Sequence, residues 1–129
     1  MNIIEAVERE GFLEVRVEGL FSPNTIEDFI RSFASLILER KATRVLADAL
    51  RVTGTPSTLD RYTFGTGLAR IVPASVRLAM LARTEMADPQ RLGSMVARNR
   101  GLAAEIFDDR DEAIQWLMEE SGKPESRDV

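Results

Sequence analysis

The chain has 129 residues, one domain's length. Its 44% hydrophobic and 29% charged residues suit a globule that buries a core, and its net charge of −4 argues against broad attraction to nucleic acid or anionic membrane. With no Cys and no His, disulfides, thiolate zinc sites, iron–sulfur clusters, cysteine nucleophiles, Ser-His-Asp triads and histidine-ligated metals are excluded, leaving carboxylates, hydroxyls, arginines, two lysines and one tyrosine for chemistry.

Along the chain, Ile3 to Glu8 reads as a first strand and Arg9-Glu10-Gly11 as a turn in which Gly11 takes a positive φ. Phe12 to Glu18 follows as a second strand. Leu13, Val15 and Val17 point one way and Glu14, Arg16 and Glu18 the other, as in a hairpin with one wet face. Ser22 then offers an N-cap, Pro23 suits the first helical position, and Glu27 and Asp28 lie near the positive end of the helix dipole. Ile26, Phe29, Ile30, Phe33 and Ile37 form one apolar stripe of this helix, which ends at the cationic Arg40 and Lys41.

Arg44 to Asp48 is a short apolar strand, and Ala49 to Ser57, holding Gly54 and Pro56, reads as loop. A second helix is expected from Ser57 or Thr58 to about Ile71, on a stripe of Phe64, Leu68 and Ile71. Gly65 and Gly67 each cost it about 1 kcal/mol of propensity. Val76 to Ala82 reads as a mostly buried strand. Asp88-Pro89 starts a third helix with Leu92, Met95 and Val96 inside, and Asn99-Arg100-Gly101 ends it. Leu102 to Phe107 is the last strand. Asp108 or Asp109 caps a final helix carrying Ala113, Ile114, Leu117 and Met118, which Gly122 stops.

Residues 1–120 are thus expected to form one domain, with 121–129 a disordered polar tail. The order β-β-α-β-α-β-α-β-α implies an α/β fold with right-handed crossovers and a mixed, mostly parallel five-stranded sheet opening in a hairpin. Strands that alternate polar with apolar leave one sheet face short of helices, a face that a second copy in a homodimer would cover. No apolar run reaches membrane-spanning length. Glu5, Glu8 and Glu10 stand where a signal peptide needs a basic start, so the expected location is the cytoplasm.

The stretches RVLADALRVTGTPSTLDRYTFGTGLA, VRLAMLA and ARNRGLAAEIFDDRDEAIQWL resemble, in order and hydrophobic pattern, the SpoIIAA-like family. Its fold is shared by STAS domains and anti-sigma factor antagonists. The resemblance spans residues 3 to 118 and points to a bacterial branch related to STAS and CRAL-TRIO-like lipid-binding domains. It implies a non-enzymatic regulatory or protein-binding module without a cofactor, whose partner is a protein such as a kinase-like regulator. In the antagonists a strand ends in an acidic residue, and a serine at the start of the next helix is phosphorylated. By position, Asp48 corresponds to that strand end, and Ser57 and Thr58 to that helix start. The loop ALRVTGTPSTLD is longer than theirs and lacks their Asp-Ser-Ser-Gly type of sequence.

Thr53, Gly54, Ser57 and Thr58 place hydroxyls and a glycine before a helix N-terminus, where backbone N–H groups favour an anion or a phosphorylated side chain. Arg51 and Arg61 flank the loop. A Ser57 to Asp60 capping box explains the same letters without a ligand. Asp108, Asp109, Asp111 and Glu112 lack the spacing of a calcium loop and read as helix capping, so no metal is expected. Gly65-Thr66-Gly67 has Arg70 where a dinucleotide fingerprint needs its third glycine. Arg91, Arg98 and Arg100 read as a solvated face of the third helix. Tyr62, Phe64 and Trp116 are candidates for a pocket wall or, more simply, for core. A small carrier would hold an apolar or anionic ligand between the sheet and the second and third helices. No pairing of Asp48, Asp60 or Glu85 with a nucleophile is visible, and no catalytic residue is expected.

Overall fold

The computed structural model describes residues 1–86 and 92–119. Nine elements follow in the expected order: β1 (Asn2–Arg9), β2 (Phe12–Leu20), α1 (Pro23–Arg40), β3 (Arg44–Thr53), α2 (Thr58–Ile71), β4 (Arg77–Leu81), α3 (Leu92–Asn99), β5 (Ala103–Phe107) and α4 (Arg110–Leu117). Asp88, Pro89, Arg91, Gly122 and the tail 121–129 lie outside the described residues. Gly11 makes the hairpin turn at φ 92°, a backbone state that costs glycine little.

The five strands lie in chain order across the sheet, β1 antiparallel to β2 and the others parallel. This sequential order fixes where the helices go. Each right-handed crossover steps the same way, so α1, α2 and α3 all fall on one face. There they bury Val15, Phe33, Ile37, Val45 and Leu78 in the main core. α4 follows the last strand and packs on the other face, where Leu46, Ala79, Leu81, Ala113 and Leu117 form a second, smaller core.

α2 sits in the middle of the helical layer. A side chain at Gly65 would collide with the Gly93 carbonyl of α3, and one at Gly67 would stand 2.7 Å from the Ile30 δ-methyl of α1. The two glycines that weaken this helix in isolation therefore admit its neighbours. Local capping is also as expected: Asp109 caps α4 by accepting from the Glu112 N–H at 3.0 Å.

Met95, expected on the inner face of α3, is exposed, and Ser94 and Ala97 are buried beside Val96 instead; two larger expectations are also corrected. β3 does not end at Asp48 but runs on to Thr53. Its pairing with β2 shifts between Arg16 and Glu18, opposite Asp48 and Arg51, so an extra residue bulges there. The Asp48 carboxylate accepts the Leu50 N–H at 3.1 Å beside that bulge. The bulge breaks strict alternation, and the strand's continuation reads as loop in consequence.

The wet face of β2 is the second correction. Glu14 is fully buried there, because α4 brings Arg110 over it and Arg9 and Arg16 close in from the hairpin. Farther out on the same face, Glu5, Glu18 and Arg51 stay exposed.

Candidate functional site

The helix-bearing face opens at the carboxyl ends of β3 and β4. A cleft of about 70 Å³ lies there, lined by Phe29 of α1, Val52 of β3, Phe64 of α2, Met80 of β4 and Met86. The β3–α2 connection and the segment after β4 leave the sheet at this edge and frame the cleft. Its walls are aromatic: Phe64 lies 5.3 Å from Phe21 and 6.3 Å from Phe29 between ring centroids. Among the described residues, Arg61 is the one ionised side chain on the wall. Its Nη1 donates to the Met86 carbonyl at 2.8 Å, tying α2 to the segment after β4. A second cavity of about 20 Å³ continues under α3 and shares Phe64, Met80 and Ile106 with the first.

The loop named from sequence borders this cleft, and part of its role is architectural. Gly54 adopts φ 115°, and a Cβ there would come 2.9 Å from the Phe21 carbonyl, so glycine is required. Thr53 closes β3 by accepting the Phe21 N–H at 2.8 Å. Ser57 is the N-cap of α2: its Oγ accepts from Asp60 N–H at 3.1 Å, and its own N–H donates to Asp60 Oδ2 at 2.9 Å. The expected capping box is therefore complete. Ser57 and Thr58 remain exposed, followed by Leu59 at 69% and Tyr62 at 44% exposure.

Asp48 does not join this group. Its register beside Leu81 and Arg16 puts it on the α4 face, where its charge supports that of Arg110. The structure thus brings Thr53, Gly54, Ser57, Thr58 and Arg61 to one edge and sends Asp48 to the other side of the sheet. Of the aromatic candidates, Phe64 lines the cleft. Tyr62 accepts from Arg100 Nη2 at 3.0 Å on the surface. Trp116 packs on Phe107 at 5.7 Å beneath the Arg77 guanidinium at 3.9 Å. Arg98 pairs with Glu105.

Phe21, Val52 and Met86 escape sequence reasoning as wall residues. Each belongs to a different segment, and nothing local announces their meeting. The Glu14 cluster escapes it too. Arg110 grips Glu14 through two bonds of 3.0 and 2.6 Å, and Arg9 adds one of 2.9 Å. Arg110 foremost, helped by Arg9 and Arg16, lowers the Glu14 carboxyl to about 2 against the opposing effect of burial, and Glu14 in turn raises Arg110. Arg77 is shifted down by burial.

No group of acidic side chains among the described residues has the arrangement of a metal site. Nor is any described helix long and apolar enough to cross a membrane.

No known family profile and no curated protein matches the chain. Among solved structures, it is similar to an uncharacterised protein of the DUF3478 family with a SpoIIAA-like fold, from Shewanella loihica PV-4. The match has a TM-score of 0.50 at 17% identity and covers 88% of this chain and 90% of that one. The architecture is SpoIIAA-like, as the sequence resemblance implied.

Proposed function

We propose that this chain is a non-enzymatic, STAS-like binding module that holds the apolar end of a small ligand at the carboxyl edge of its sheet. The observation that carries this reading is the cleft between β3, β4, α1 and α2, whose wall among the described residues carries Arg61 as its one ionised side chain. Burying alkyl or ring surface there is favourable by about 25 cal/mol per Å². Its volume suits a short alkyl or ring terminus, and Met80 and Met86 give it walls that adapt. General acid–base catalysis needs a titratable group tuned near the working pH at the reacting atoms; an apolar wall with an arginine favours retention over turnover.

A second reading rests on the exposed start of α2. There a regulatory protein would dock on Leu59 and Tyr62, and phosphorylation of Ser57 or Thr58 would add roughly two negative charges beside Asp60. The dianion would repel the Asp60 carboxylate that caps the helix and so reshape the docking surface.

One preparation tests both. Protein taken gently from its native host is weighed by native mass spectrometry and again after denaturation. A small molecule lost on denaturation, and no longer retained by the cleft-filling variant Ala82→Leu, is the expected result. Phosphate mapped to Ser57 or Thr58 would favour the second reading. A bare chain from every growth condition would overturn both.

A further inference from the structure

We propose a second binding site, for a small soluble phosphate compound, in the polar cleft at the opposite, amino-terminal edge of the sheet. The cleft measures about 260 Å³ and lies between the hairpin turn, Glu8 to Leu13, and the α1–β3 connection, Arg40 to Arg44. Arg9, Arg40, Lys41 and Arg44 line it against a single carboxylate, Glu8. In a chain of net charge −4, this is a local concentration of the opposite sign, and a concave one focuses its field on a small anion.

Two of these cations have carboxylate partners. Arg9 Nε bonds Glu14 at 2.9 Å, and Arg40 Nη1 reaches Glu8 at 3.4 Å. The other two do not. Lys41 forms no ion pair with a described residue, and Arg44 Nη2 meets only the Glu119 carbonyl, at 3.5 Å. The buried Nε of Arg44 has no acceptor among the described residues. An unsatisfied donor of a charged group in a native fold calls for an ion or water that completes it.

The backbone supplies an independent indication. Lys41 has φ 54° and ψ 39°, and among the described residues it is the one non-glycine in the left-handed region. Glycine is the usual occupant after a helix and adopts this state without strain. Lys41 lines the cleft together with Arg40 and Arg44. Arginine forks bind phosphate oxygens in pairs while lysine adds a point charge, so the set matches a phosphate dianion.

The test is titration of the isotopically labelled full chain with inorganic phosphate, followed by amide NMR, against chloride at matched ionic strength. Saturable shifts at Gly11, Lys41 and Thr43 are expected. Lys41→Gly should raise the unfolding midpoint, since it relieves the backbone, yet weaken phosphate binding about fivefold or more; Arg44→Gln should weaken it similarly. Shifts no larger than those in chloride would overturn the proposal. So would saturable shifts that persist undiminished in both variants.

Discussion

Glu14 shows what one residue contributes once the fold has chosen its partners. Its carboxylate is fully buried and is held by three guanidiniums, those of Arg9, Arg16 and Arg110. Removing one member of such a cluster leaves like charges uncompensated, so Glu14→Gln should destabilise the chain by roughly 3–5 kcal/mol in urea unfolding. The pH dependence follows from the shift. Because the folded carboxyl titrates near 2 rather than its ordinary 4.5, its stabilisation is fully present above about pH 4.5. It is lost as pH falls from there toward 2, an effect on the order of 3 kcal/mol. The gap between the wild type and Glu14→Gln should therefore narrow over that interval; a gap constant from pH 6 to pH 2.5 would show that the carboxylate's charge is not what stabilises it. None of this is legible locally, since alternation puts Glu14 in water and Arg110 is 96 residues away. Ser57 is the contrast: its partner Asp60 is three residues on, so the capping box can be read directly from the sequence.

At the scale of elements, legibility depends on whether the determining contacts are near in sequence. α1 announces itself by its stripe of Ile26, Phe29, Ile30, Phe33 and Ile37, all buried. The far half of β3 does not, because Arg51 to Thr53 pair only with β2, past a bulge that breaks the two-residue period. α2 looks weak from its glycines because the reason for them lies in α1 and α3. That reason separates two substitutions that intrinsic propensity treats alike. Gly65→Ala drives a methyl into the Gly93 backbone carbonyl, which cannot yield unless α3 moves away. Gly67→Ala meets only the tip of Ile30, which can change rotamer. Each gains up to about 1 kcal/mol of helix propensity. Gly65→Ala should nonetheless lose roughly 1–3 kcal/mol by overpacking, while Gly67→Ala stays within about 1 kcal/mol of wild type. Denaturant midpoints of the pair decide it: equal effects would mean that α2 and α3 are not in tight contact.

Over the whole molecule, the order of elements was legible from periodicity, but the allocation of helices to faces follows only from strand order. A sheet laid down in one direction puts three crossover helices on one side and leaves the other to α4. That asymmetry divides stability unequally. α4 has eight residues, too short to hold as an isolated helix in water, where about 12–15 residues are marginal. It keeps its shape by docking Ala113 and Leu117 on Leu46, Ala79 and Leu81, by the Arg110–Glu14 pair, and by Arg77, whose Nε and Nη2 donate to the Trp116 carbonyl at 3.1 and 2.8 Å. Undocking it exposes that small core and leaves the main core, on the far side of the sheet, intact. Native-state hydrogen exchange in rising urea should therefore find α4 amides opening at least about 1 kcal/mol below the β3 amides, with a shallower urea dependence. Glu14→Gln should widen that gap, since it weakens the attachment of α4 more than the packing of β3. If α4 and β3 amides instead merge into one exchange isotherm in both proteins, the two cores unfold as one unit, and the sheet transmits the loss of either face to the other.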